Sequence, residues 1–312
     1  MRIDSFHAPL AVAWQLTNRC GLECLHCLNG SGPRTPSNGE LTKEECLRIA
    51  LDCVECAIPY AILGGGEPML SPRFMEVAET LGRGGVWLKI ETNGQMLRSA
   101  AAGRLSSLPI RSIQVSLDGA TQRTYERLRP GASLQAAVEA CRTVRKAGLP
   151  LEITFVPTRF NVGEASAAID LALELGAFRF NTGRLILRGR AVENRRSLEL
   201  NERAEREFLR LLTRREAEIS GRSAGTSGRG MEMCFRPFTF EEQVRSEAAE
   251  PSGTLTILPD GRVSASAAGD AVCADLRTHT VKEAWRSYLR ARQGTWVEEI
   301  WAGLCLGPAT RS

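Results

Sequence analysis

The chain has 312 residues, 43% hydrophobic and 24% charged, the proportions of an ordinary globular protein and enough length for a barrel with an appendage. No apolar run approaches a bilayer span, and Met1 to Thr17 lacks the basic start and apolar core of a signal peptide, so the expectation is a soluble cytoplasmic protein with no membrane partner. A net charge of +4 is too small to argue for a nucleic-acid partner.

The first strand is expected over Val12 to Leu16. Thr42 with Glu45 three residues on forms a capping box, opening a helix to about Cys56. A strand follows at Ala61 to Leu63, a helix at Phe74 to Leu81 and a strand at Val86 to Ile90. Ile110, Ile113, Val115 and Leu117 mark a fourth strand. A helix over Leu134 to Ala147 stops at Gly148, a favourable C-cap. Leu151 to Val156 is a fifth strand, Ala165 to Leu175 a helix that stops at Gly176, and Phe178 to Phe180 a sixth strand. Six alternations of strand and helix mean parallel strands joined by right-handed crossovers. The Gly-rich turn that a dinucleotide fold needs after its first strand is replaced by a cysteine loop. The fold class is therefore α/β, a partial (β/α)6 TIM-type barrel over residues 1–220.

The Gly/Ser/Arg stretch at 221–233 reads as a linker, and 234–312 as a small α+β C-terminal domain. There Thr254 to Leu258 and Arg262 to Ser266 flank Pro259-Asp260-Gly261, a hairpin signal, with a short helix near Val281 to Arg290. Between Arg184 and Arg215 the chain carries ten arginines. Two readings stand: a solvated helix face with pairs such as Glu202 and Arg206, or a cationic rim for a phosphorylated or acidic substrate, with Arg188 and Arg190 facing it.

Ten cysteines are many for a reducing compartment, where disulfides are rare, so clustered ones point to metal ligation or catalysis. Cys46, Cys53 and Cys56 lie on an apolar helix and, with Cys141, read as core. Cys20, Cys24 and Cys27 fall within eight residues. Three thiolates on a four-iron cubane leave one iron open, which a centre that binds a reactant needs. Zinc held by the three cysteines and His26 is the alternative at this point. Three further turns follow successive strands: Gly64-Gly65-Gly66-Glu67-Pro68, Glu91-Thr92-Asn93-Gly94 and Ser116-Leu117-Asp118-Gly119. Each alone is an ordinary turn. Together with the cysteine loop they line the C-terminal ends of four strands, where (β/α) barrels place their active sites.

Cys-x-x-x-Cys-x-x-Cys, Gly-Gly-Glu-Pro, Thr-Asn-Gly and Ser-Leu-Asp-Gly, in this order and spacing over roughly residues 10 to 190, resemble the radical S-adenosylmethionine superfamily. The resemblance implies a [4Fe–4S] cluster on Cys20, Cys24 and Cys27. It implies S-adenosylmethionine (SAM) chelating the fourth iron, with Gly65, Gly66 and Glu67 at the methionyl amino group. His26 would sit beside the adenine, and Asn93, Ser116 and Asp118 would line the ribose and methionyl end. An external flavodoxin- or ferredoxin-type donor would supply the electron that releases a 5′-deoxyadenosyl radical, which takes a hydrogen atom from an unactivated C–H bond.

Leu187 to Ala191, Cys234, Leu255 to Val263 and Leu276 to Trp285 resemble the SPASM or twitch extension, which usually carries auxiliary clusters. The pattern is thinned: Ser264, Ala265 and Ser266 stand where a cysteine is expected. Cys234, Cys273 and Cys305 leave room for at most one auxiliary cluster. Cys273 is alternatively a thiol that returns a hydrogen atom to a substrate radical. With only 19 residues before Cys20, no leader-binding domain is expected ahead of the motif. The substrate expectation is therefore a small specialised metabolite such as a sugar, aminoglycoside or nucleoside. A peptide maturase using a separate recognition protein is the second reading, and a zinc-stabilised binding module the third.

Overall fold

Every strand of the barrel carries two sets of side chains, because alternate residues point to opposite faces. On one face Val12, Trp14, Leu63, Leu88, Ile90, Ile113, Val115, Ile153 and Phe180 are buried and join helix residues such as Ile49, Val77, Leu81, Ala137 and Ile169 in one core. Each large apolar side chain so buried contributes about 1.5–3 kcal/mol. In the computed structural model, which describes residues 3–223, 230–239, 242, 246, 251–266 and 271–291, this produces β1 (Ala11–Gln15), β2 (Tyr60–Gly64), β3 (Trp87–Thr92), β4 (Ile110–Ser116), β5 (Leu151–Phe155), β6 (Arg179–Gly183) and β7 (Glu232–Arg236). Neighbours pair in parallel in chain order, with Val12 opposite Ala61 and Trp14 opposite Leu63 in the first pair.

The returns are helical: α1 (Lys43–Glu55), α2 (Phe74–Arg83), α3 (Ser99–Leu105), α4 (Gln122–Leu128), α5 (Leu134–Lys146) and α6 (Ala165–Glu174). The capping box at Thr42 and Glu45 is present on both sides. Gly148 and Gly176 close their helices at φ +72° and +71°, in the left-handed region. Two short helices, α7 (Arg190–Glu193) and α8 (Arg195–Leu198), lead into the long α9 (Glu202–Ser223) before β7. Cys46, Cys53 and Cys141 are core residues as expected, and Cys56 packs at its edge.

The C-terminal part is joined to the barrel sheet. β8 (Thr254–Ile257) lies parallel against β1, and β9 (Arg262–Ser264) and β10 (Val272–Asp275) extend it by antiparallel pairing. The described residues thus form one sheet in the order β10-β9-β8-β1-β2-β3-β4-β5-β6-β7. The expected linker at 221–233 starts inside α9 and ends inside β7, so the boundary drawn there cuts across two regular elements. The Pro259-Asp260-Gly261 turn does connect β8 to β9, with Gly261 at φ +87°. The last described helix, α10 (Val281–Ala291), buries Trp285, whose indole donates to the Phe6 carbonyl at 2.9 Å.

The inner face is polar. Glu152 on β5 accepts from Lys89 on β3 at 2.8 Å and from Asn181 on β6 at 2.8 Å, and Arg179 lies 3.4 Å away. Burial pushes the Glu152 carboxyl up, but the bonds from Lys89 and Asn181 outweigh it and hold it below the usual range. A depressed folded-state pKa means stability that is complete above the ordinary carboxylate range and lost as pH falls through the folded value. Lys89→Met should therefore cost about 1.5–3 kcal/mol in urea unfolding at pH 7, and the gap to wild type should narrow as acid protonates Glu152.

Candidate active site

The cysteine loop has little regular structure of its own. Its internal bonds are long, Cys20 N–H to the Gly32 carbonyl at 3.3 Å and Cys27 N–H to the Cys24 carbonyl at 3.2 Å. Cys20 and Cys24 are buried and Cys27 half-buried. Burial and then the nearby Glu67 carboxylate lift Cys20, with a smaller contribution from Cys27, and burial lifts Cys24 to about 11 although Arg129 opposes it.

The loop is held from outside, first by the glycine turn. Gly66 N–H donates to the Thr17 carbonyl at 2.7 Å and Glu67 N–H to the Arg19 carbonyl at 2.9 Å. A Cβ on Gly65, whose φ is +127°, would lie 2.6 Å from the Thr17 oxygen, and one on Gly66 would lie 2.2 Å from the Arg19 oxygen. Glycine is required here because two backbones meet, one of them leading directly into Cys20. Glu67 is fully buried and accepts from the Thr92 hydroxyl at 2.8 Å and the Asn93 N–H at 2.9 Å. Its carboxyl is raised by burial against those bonds. Asn93 in turn donates through Nδ2 to Cys20 Sγ at 3.5 Å. Asn29 ties the loop's far end to the Gly65 carbonyl at 3.0 Å.

On the opposite side Asp118, fully buried, receives Arg129 Nε at 2.7 Å and lies 3.1 Å from His26 Nε2. Its other oxygen accepts the Val156 N–H at 2.6 Å, and Asn161 holds its carbonyl at 3.0 Å. Burial disfavours the Asp118 charge, but Arg129 and His26 overcome that and keep the carboxyl far below the usual range. Arg129 also reaches Cys24 Sγ at 3.5 Å. The sequence reading missed Arg129: it lies 11 residues past Asp118 in an Arg-Leu-Arg-Pro run with no periodic or motif signal. Ser116 ends β4 beside this group, its carbonyl accepting from the Tyr125 hydroxyl at 3.1 Å.

Cys20, Cys24, Cys27, His26, Gly65, Gly66, Glu67, Asn93, Ser116 and Asp118 thus come together across the ends of the first four strands. The donor set suits a cubane. A four-iron cubane takes one thiolate per iron, so Cys20, Cys24 and Cys27 would fill three irons and leave the fourth without a protein thiolate. The side chain of His26 is 8% exposed, and its Nδ1 is buried with no hydrogen-bond partner, a polar atom left for a bound group beside the loop.

The Radical SAM superfamily model matches residues 14–172. The chain belongs to the radical SAM superfamily. Membership brings a [4Fe–4S] cluster and SAM as its cofactors. The mycofactocin maturase of Mycobacterium ulcerans is 36% identical over 171 residues, 54% of this radical SAM chain and 46% of that protein. The PqqA peptide cyclase of Ruegeria pomeroyi is 30% identical over 261 residues, 82% of this chain and 67% of that one. Streptococcus suis SuiB bound to precursor peptide SuiA shares the fold with a TM-score of 0.73 at 14% identity, covering 92% of this chain and 67% of SuiB. The chain spans less than half the length of the mycofactocin maturases that it matches.

Other expected residues of this radical SAM enzyme are not gathered at the site. Cys234 is on β7 and Cys273 on β10, strands at opposite ends of the sheet order. The Cys273 thiol donates to the Val263 carbonyl at 3.4 Å, and burial pushes it up to about 11. Cys234 lies in register with Asn181. Cys305 lies outside the described residues. Most of the basic segment is paired: Arg195 with Glu199, Arg203 with Glu207, Arg206 with Glu202, Arg214 with Glu218, Arg215 with Asp170 and Arg184 with Glu205. That matches the solvated-face reading. Arg190, expected on a cationic rim, bonds to carbonyls of the cysteine loop.

Gly66→Ala should push the Arg19 backbone and with it Cys20, costing about 1–3 kcal/mol of packing strain and lowering iron and sulfide per chain after anaerobic reconstitution. Arg129→Met leaves Asp118 charged and buried with less support, a loss of about 3–5 kcal/mol in urea unfolding of the apoprotein. Arg129→Met combined with Asp118→Asn should recover part of it, because the uncompensated charge is gone.

Proposed function

We propose that this chain is a peptide-modifying radical SAM enzyme whose cluster is held by Cys20, Cys24 and Cys27. What carries the reading is the extent of its likeness to the PqqA peptide cyclase, which runs through the barrel into the C-terminal strands over 82% of this chain. It displaces the small-metabolite expectation in favour of the peptide alternative.

When bound, the cluster and SAM supply an organic radical able to take a hydrogen atom from an unactivated C–H bond. The chain's own residues do the rest. Cys20, Cys24 and Cys27 would supply three thiolates, and with no fourth cysteine in this loop one iron would be left for the methionyl group. Gly65, Gly66 and Glu67 form a close-packed turn beside them, and Asn93, Ser116 and Asp118 border the same space. His26 presents Nδ1 while Asp118 holds its other nitrogen. A flavodoxin- or ferredoxin-type protein delivers the reducing electron.

Reconstituted enzyme with SAM and dithionite should release 5′-deoxyadenosine faster when given an extract of the source cells. Prior digestion of that extract with proteinase K should abolish the stimulation. Stimulation that survives digestion and passes a 1-kDa-class membrane, on the order of ten residues or fewer, would return the small metabolite to first place.

A further inference from the structure

Five carbonyls of the cysteine loop are met by one distant segment. Arg190 Nε donates to the Cys24 carbonyl at 2.9 Å and Nη1 to the Gly30 carbonyl at 2.8 Å, while Nη2 donates to the Ser31 carbonyl. The Arg190 backbone N–H donates to the Cys27 carbonyl at 3.0 Å, and Asn194 Nδ2 to the Leu25 carbonyl at 3.3 Å. The guanidinium bonds are shorter than the loop's own, which run from 3.2 to 3.3 Å at Cys27, Gly30 and Cys20. The approach needs Gly189: its φ is +56°, and a Cβ there would lie 2.6 Å from the carbonyl oxygens of both Cys27 and Leu28. Ala191, next along, is fully buried. Six neighbouring arginines of this stretch pair with carboxylates; Arg190 makes no ion pair among the described residues.

We propose that Arg190 is the positioning residue of the cluster loop, a three-pronged latch that fixes the backbone carrying Cys24 and Cys27. The planar fork of a guanidinium can satisfy three carbonyls at once in fixed geometry, which an ammonium on a flexible stem cannot. A carbonyl oxygen bonded to Arg190 is held there and is not free to turn toward the negative charge of a thiolate-ligated cluster. Outer partners of this kind orient metal ligands without touching the metal, and their loss costs about 10- to 100-fold in metal retention. The proposal rests on Cys20, Cys24 and Cys27 as the ligands.

The test is iron retention by anaerobically reconstituted full-length protein, read as the rate of iron transfer to a chelator and as the electron paramagnetic resonance spectrum of the dithionite-reduced cluster. Arg190→Ala should release iron about 10- to 100-fold faster than wild type and broaden or split the spectrum, with the circular dichroism of the apoprotein unchanged. Arg190→Lys should fall between the two. Arg215→Ala, which removes an α9 arginine held by Asp170 on α6 and by Glu218, should retain iron as wild type does. Wild-type release and spectrum in Arg190→Ala would overturn the latch, and so would equal acceleration in Arg215→Ala. If Arg190→Ala does not fold, wild-type release from Arg190→Lys overturns it equally. The triple variant Cys20→Ala, Cys24→Ala, Cys27→Ala separates the underlying reading: about four fewer irons per chain than wild type are expected, and unchanged iron refutes the ligand assignment whatever Arg190 does.

Discussion

The loop that carries Cys20, Cys24 and Cys27 has almost no helix or strand of its own, and so its shape rests on bracing from other parts of the chain. That constraint organises this protein. From the β2 turn come the N–H groups of Gly66 and Glu67, seated on the Thr17 and Arg19 carbonyls. From the β3 turn comes Asn93, from beyond β4 Arg129, and from beyond β6 Arg190 and Asn194. Each brace lies in the segment that follows the C-terminal end of a strand, so the parallel barrel is what brings them together.

The alternation of the barrel was legible because core and inner face differ so plainly in chemistry. Val12, Trp14, Leu63 and Ile90 repeat at the period of a strand, and Gly148 and Gly176 punctuate helices whose ends they do close. β7 was not legible: Glu232 to Arg236 mixes charge, sulfur and one aromatic, and it becomes a strand only because β6 offers it an edge. The union of β8 with β1 could not be read either, since a hairpin signal states local pairing and says nothing of which third strand the hairpin joins.

Within the site, the cysteines, glycines and turn residues were visible because their types are constrained by what they do. Arg129 and Arg190 were invisible for the opposite reason. An arginine is common on surfaces, and only tertiary contact distinguishes one that braces a cysteine from one that pairs with a glutamate along α9. The Leu187 to Ala191 segment stood out by its resemblance to an extension motif, yet the role read into its arginines was electrostatic attraction of a substrate. The fold uses Arg190 for carbonyls instead.

The order in which the chain is made gives that bracing a timetable. Cys27 leaves the ribosome 163 residues ahead of Arg190, and β1 waits longer still for its second neighbour, β8. At about 5–20 residues per second, the thiols spend roughly 10–30 s in a nascent barrel before their brace exists. A ribosome that stalls before Arg190 is made would therefore hold out the three thiols on a loop that lacks its most distant brace.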